Sequence, residues 1–289
     1  MSKLDLTKFE EYYPKFFKIL KEEKIINLLV ESDYYTLQFL KEIILKIYDS
    51  KANINSSDVL YIESDPINID TVRYITKFIS YKPDNLNYRF VIIMNIENLT
   101  AEAGNALLKS LEESKKYVVF INLTSDSHKI LKTILSRSMN FKLNPIEIKE
   151  KIPEKISKAI NGSLGKYLLY LENRKKELKI KNIEDAIEIY IDSFDQKSSS
   201  ILYREEAFEI LKNYDHLQVA LLMEEKTKKT DKTIKTAIIS DLCERLADMN
   251  YREIEFVIKL KSHLELNLNF STMLIVLLKK LFEKRIEYV

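Results

Sequence analysis

Arg137, in Ser136-Arg137-Ser138, is the residue whose type and setting most invite chemistry on an anion. A guanidinium is always charged and presents its donors as a planar fork, a match for carboxylate or phosphoryl oxygens. The residues alone leave two roles open for it. One is contact with charge building on a transferring phosphoryl group; the other is a local pair with a carboxylate at a sheet edge. Ser136 accompanies it as the supporting member of the Ser-Arg pair. Other reactive types are sparse. Gly165-Lys166 resembles the end of a phosphate-cradling loop, but Tyr167 follows it and no strand precedes it. His128, His216 and His263 are dispersed and share no metal-ligand spacing. The single cysteine, Cys243, excludes an intrachain disulfide framework and a multi-cysteine zinc site. Cys243 sits beside Leu242 in a helical pattern and reads as a small buried apolar residue. No metal and no cofactor is expected.

The elements that must hold Arg137 read as α/β. Candidate strands are Asn27–Val30, Val59–Ile62, Phe90–Met94, Tyr117–Ile121 and Met139–Leu143. Near-continuous β-branched and aromatic runs suit strands covered on both faces, as in a parallel sheet. Helix-spaced stretches lie between them, among them Thr71–Tyr81 and Ala101–Glu113. Such alternation predicts a three-layer α/β domain over residues 1–145. Thr100 is a good N-cap for the second of these helices. Arg137 falls at a helix end just before the last strand.

After Pro145 the strand signals stop. Residues 146–175 read as a small domain of short helices broken at Asn161-Gly162-Ser163-Leu164-Gly165. Residues 176–289 read as all helical, with segments Ile183–Phe194, Ser200–Lys212, Thr233–Met249, Tyr251–His263 and Thr272–Arg285. Lys226–Lys232 is a polar break between two of them and reads as a solvated loop. The chain has 289 residues, 46% of them apolar, enough for two or three domains with substantial cores. Its 46 basic and 44 acidic residues nearly cancel, so bulk charge gives no argument for nucleic-acid binding. No apolar run reaches the roughly 18 residues needed to span a bilayer, and the first residues lack a signal-peptide order. A cytoplasmic protein with no membrane contact is expected.

Periodicity alone fits any doubly wound α/β domain. The residue string says more. Leu99-Thr100, the eleven-residue word Ala103–Glu113, the strand at Tyr117–Thr124 and Ser136-Arg137-Ser138 stand in order along the chain. They resemble the delta-prime and gamma/tau subunits of the DNA polymerase III clamp loader. Asp58–Glu63, Ile69–Arg73 and Asn161–Leu168 fall where that family places similar words. Asn267-Leu268-Asn269-Phe270 with Leu274, Leu277 and Leu278 is similar to its last collar helix. The resemblance implies an AAA+ α/β domain, a helical lid and a helical collar that assembles a ring of subunits. The partners it implies are the gamma/tau and delta subunits, the sliding clamp, and primed-template DNA reached through the assembled complex.

The departures from the family carry the mechanism. A phosphate loop, G-x-x-x-x-G-K-[S/T], is expected after the first strand, where this chain has Glu31–Phe39 with neither Gly nor Lys. Met94-Asn95 stands where ATPase relatives place Asp-Glu for Mg²⁺, and Glu97 nearby reads as a surface or cap residue. Thr124 stands at the strand end where relatives place a polar residue that senses the γ-phosphate, and with no nucleotide expected it reads as a relic or a turn former. Gly165 stands at the lid position of an Arg. The family's four-cysteine zinc module is missing. Arg137 matches the Ser-Arg-Cys arginine, with Ser138 in place of the Cys. The resemblance therefore implies a delta-prime-like subunit without intrinsic catalysis, giving Arg137 as a trans-acting finger to a neighbour's ATP site. Two alternatives stand beside it: a divergent gamma/tau-like ATPase, and a decayed AAA+ scaffold serving another partner.

Overall fold

A computed structural model describes residues 3–23, 25–173, 180–195, 198–249 and 270–282. The expected helix Tyr251–His263, the word Asn267–Asn269 and Arg285 lie outside the described residues. The chain divides into two compact units. One comprises residues 1–150 with 161–168, the other 151–160 with 169–289.

The first unit is built on a parallel five-stranded sheet. Its strands are β1 (Asn27–Glu31), β2 (Val59–Ile62), β3 (Arg89–Ile93), β4 (Val118–Thr124) and β5 (Met139–Lys142), in the order β2-β3-β4-β1-β5. Its helices are α1 (Lys3–Tyr12), α2 (Pro14–Glu22), α3 (Tyr34–Tyr48), α4 (Ile69–Ile79), α5 (Ala101–Glu112) and α6 (Lys132–Leu135). Every residue of β3 and β4 is buried, as expected for strands covered on both faces. The strand period of two separates those faces. Val91, Ile93, Val118 and Phe120 join Ile75, Leu107 and Leu111 of α4 and α5 in one cluster. Phe90, on the opposite face of β3, meets Tyr48 of α3.

Local chemistry starts the helices. Pro14 opens α2, where a missing N–H does no harm. Asp33, Asn68 and Thr100 cap α3, α4 and α5 through side-chain oxygens. The entry to β3 is fixed by Asp58, which is fully buried and accepts from the backbone amides of Asp84, Asn85 and Leu86 and from Arg89. Burial alone would raise the Asp58 carboxyl, but these donors outweigh it and hold it below the usual carboxylate range.

The second unit is helical among its described residues. It holds α7 (Glu154–Ile160), α9 (Ile183–Asp192), α10 (Arg204–Leu211), α11 (His216–Thr227), α12 (Lys232–Met249) and α13 (Phe270–Phe282); α8 (Leu164–Asn173) begins in the first unit. Its core draws on α9 to α13 and includes Cys243, which is fully buried. The expected single helix over Ser200–Lys212 starts instead as a 3₁₀ turn, Ser199–Tyr203, with α10 following. A polar brace crosses this core. Arg245 donates to both Glu205 oxygens at 2.6 and 2.7 Å and to Asp241 at 2.6 Å, and the Tyr190 hydroxyl donates to Asp241. Among the described residues no helix is long and apolar enough to cross a membrane.

Candidate functional site at the two ends of the sheet

In a parallel α/β sheet the natural ligand position lies beyond the C-terminal strand ends, at a helix N-terminus. Here that place is the start of α3, and the chain itself fills it. Asp33 accepts from the Thr36 amide at 3.1 Å and from the hydroxyls of Thr36 and Ser163 at 2.5 and 2.6 Å. The Thr36 hydroxyl in turn accepts the Gly165 amide at 3.1 Å. Thr36, Ser163 and Gly165 are buried. The contact is backbone on backbone: a Cβ at Gly165 would stand 2.1 Å from the Tyr35 carbonyl carbon. No side chain fits at this position without a shift of the α3 backbone, so packing requires a glycine there. Gly162, with φ +73°, supplies the left-handed turn that brings Ser163 and Gly165 to α3.

The electrostatics of this end are as unsuited to phosphate as its sterics. Asp33 sets a carboxylate on the positive end of the α3 dipole. Glu31, the last residue of β1, adds a second carboxylate that accepts from Ser127 at 2.5 Å and Lys142 at 2.6 Å. Burial opposes ionisation of Glu31, but Lys142 and Ser127 prevail and lower its pKa. Beside them Tyr34 and Tyr61 donate to Glu63 at 2.8 and 2.5 Å. Burial, then the Glu63 carboxylate, push both phenols up, so they remain donors. The residues at this helix start do not fit a nucleoside triphosphate.

The end of β3 tells the same story. Met94 is fully buried and Asn95 takes a left-handed conformation, φ 54° and ψ 52°. Glu97 Oε1 accepts from the Ser125 amide at 3.1 Å and hydroxyl at 2.8 Å, clamping the loop after β4. The Thr124 hydroxyl accepts the Asp126 amide at 3.0 Å, forming a local turn. Among the described residues no group of three or more His, Cys, Asp or Glu side chains could hold a metal ion.

Arg137 lies at the opposite end. It follows α6 and precedes β5, and its carbonyl accepts from Asn27 Nδ2, at the first residue of β1, at 2.6 Å. From Asn27 to Glu31 the strand rises roughly 13 Å, so Arg137 and the α3 start face away from each other. Ser136 and Ser138 return their hydroxyls to the carbonyls of Thr133 and Ile134, tightening the short helix that carries Arg137. The Arg137 side chain is 39% exposed. Its Nε donates to one oxygen of Glu112, at the end of α5, at 2.6 Å, and Nη2 stands 2.5 Å from the same oxygen as an ion pair. Nη1 donates to the Thr133 carbonyl at 3.1 Å. The local carboxylate of the second sequence reading is thus present, yet the guanidinium stays at the surface.

Residues 49–147 match the family model described as DNA polymerase III, delta subunit. The match covers about a third of the chain. Two relatives of that polymerase extend the likeness. The DNA polymerase III subunit tau of Bacillus subtilis is 35% identical over 115 residues, 39% of this chain and 19% of its own length. The subunit gamma of Buchnera aphidicola subsp. Schizaphis graminum is 30% identical over 143 residues, 42% of this chain and 39% of its own. The chain thus matches well under half the length of either relative. A Thermotoga maritima DNA polymerase III gamma subunit-related protein has a similar fold, with TM-score 0.61, 21% identity, and coverage of 94% of this chain and 99% of its own. The architecture, a parallel five-stranded α/β unit followed by a helical region, agrees with the expected fold class.

The sequence singled out Arg137 and Ser136 and showed no phosphate loop after β1. It missed Asp33, Thr36 and Ser163 as the groups that close the α3 start, and Glu112 as the partner of Arg137. An N-cap signal at Asp33 was present. The pairing of Thr36 with Gly165 is a long-range contact that no local pattern announces.

Proposed function

We propose that this chain is a delta-prime-like subunit of the replicative clamp loader that does not hydrolyse ATP and gives Arg137 in trans to a neighbour's ATP site. The single observation carrying the reading is the opposition of the two sheet ends. The chain's own α3 start is filled by Gly165 and flanked by carboxylates, whereas Arg137 is exposed about a strand length away. A finger so placed cannot serve its own α3, so it serves a neighbour. There it would stabilise charge on the transferring phosphoryl group, an effect worth 10³ to 10⁵ in rate in other systems. Ser136 supports the helix end that carries it. On this reading residues 1–145 are the degenerate AAA+ domain, 146–175 the lid and 176–289 the collar. The partners are gamma/tau and delta subunits, the sliding clamp, and primed DNA through the complex, in the cytoplasm.

The test is Arg137→Ala in the reconstituted complex. Assembly by gel filtration stays intact, while DNA-stimulated ATP turnover at the site this chain completes falls on the order of a thousandfold. Unchanged turnover removes the finger assignment. The names of the relatives, tau and gamma, favour a second reading, a divergent gamma/tau-like ATPase. Equilibrium dialysis of the isolated chain with labelled ATP separates the two, because saturable Mg²⁺-dependent binding supports only the rival.

A further inference from the structure

A guanidinium has five N–H donors, and how they are shared decides what Arg137 can still do. One Glu112 oxygen accepts from Nε and lies in ion-pair contact with Nη2, and the Thr133 carbonyl takes one donor of Nη1. Each terminal nitrogen keeps at least one donor. The contacts therefore hold the fork in place while leaving donors on both terminal nitrogens for a tetrahedral anion. Glu112 is itself well placed to act as a brace. It closes α5, whose Leu107 and Leu111 are anchored in the sheet core, so the carboxylate rides on a rigid element.

Resting on the finger reading above, we propose that Glu112 is the positioning residue of Arg137, aiming its remaining donors at the phosphoryl group bound by the neighbouring subunit. Thr133 supplies the second support through its backbone. An ion pair with side chains 39% and 50% exposed contributes little to the fold. Its worth lies in orientation, where an error of about 1 Å in a reacting group can slow a reaction a hundredfold.

The experiment compares complexes assembled with the wild-type chain, Arg137→Ala, Glu112→Ala, Glu112→Gln and the double Ala variant, reading kcat and KM for ATP and the melting temperature. Glu112→Ala lowers kcat at the completed site about tenfold, with KM and melting unchanged. Glu112→Gln, which still accepts from Nε, keeps most of the rate, and the double variant is no slower than Arg137→Ala. If Glu112→Ala turns over as fast as wild type or faster while Arg137→Ala is slow, the positioning role fails and the finger stands. A loss in Glu112→Ala that follows a lowered melting temperature, or that Gln does not rescue, also overturns it. If Arg137→Ala is itself without effect, both the finger and its brace fall.

Discussion

The two ends of the β1 strand are built in opposite ways. At the C-terminal end, backbone fills the space: Gly165 lies against Tyr35, Thr36 binds the Gly165 amide, and Asp33 and Glu31 bring negative charge. At the N-terminal end a cationic fork stays at the surface, supported but not covered. The contrast teaches that a parallel α/β sheet can have one end closed by its own chain while the other end presents a charged group. The two ends are held by different elements. The α3 start is closed by packing within the first unit, in which α6 and its Arg take no part.

Several substitutions probe this contrast, because effects at the two ends fall on different observables. The largest is Arg137→Ala, with its thousandfold loss of turnover at the completed site and no change in melting. Gly165→Ala is its mirror image. The added methyl meets backbone that cannot swing aside, so denaturant unfolding shows a loss of about 3 kcal/mol, at the upper end for overpacking. Turnover of the assembled complex below the melting range stays as in the wild type. If Gly165→Ala instead abolished turnover with the fold intact, the closed end would still be part of the machine. Thr36→Ala strands the buried Gly165 amide and lowers stability by about 1 to 2 kcal/mol in the same assay.

The smallest effect is one of pH. Glu31 has a folded pKa below its ordinary value, because Lys142 and Ser127 outweigh burial. Its contribution is complete above the unfolded carboxylate pKa of about 4.3 and is lost as pH falls through the lower folded value. Stability measured from about pH 5 downward therefore declines more steeply in the wild type than in Glu31→Gln. Equal slopes would show that the closed end is not held by this charge.

Much of this arrangement could be read from the chain before any coordinates. The five strands were placed to within a few residues because burial on both faces leaves continuous apolar runs, as in Phe90–Met94. The Ala103–Glu113 word marked α5, and Ser136-Arg137 fell, as expected, at a helix end just before the last strand. The helices α1, α2 and α3 were not read as such. In α3, aromatic and β-branched residues are mixed with polar ones, and the helix starts where the family's phosphate loop would be expected. The lock at Gly165 was invisible for a different reason. Its partners, Tyr35 and Thr36, lie about 130 residues away in sequence, so only tertiary packing reveals why that position has no side chain.

The most direct measurement is a structure of the assembled complex trapped with nucleotide, Mg²⁺ and a metal fluoride that mimics the transferring phosphoryl group. The account predicts the Arg137 terminal nitrogens at hydrogen-bonding distance, about 3 Å, from the mimic in a neighbouring subunit. It also predicts that Gly165 still rests on Tyr35. Arg137 remote from every nucleotide, or nucleotide lodged at the start of α3 beside Tyr34 and Tyr35, would contradict it.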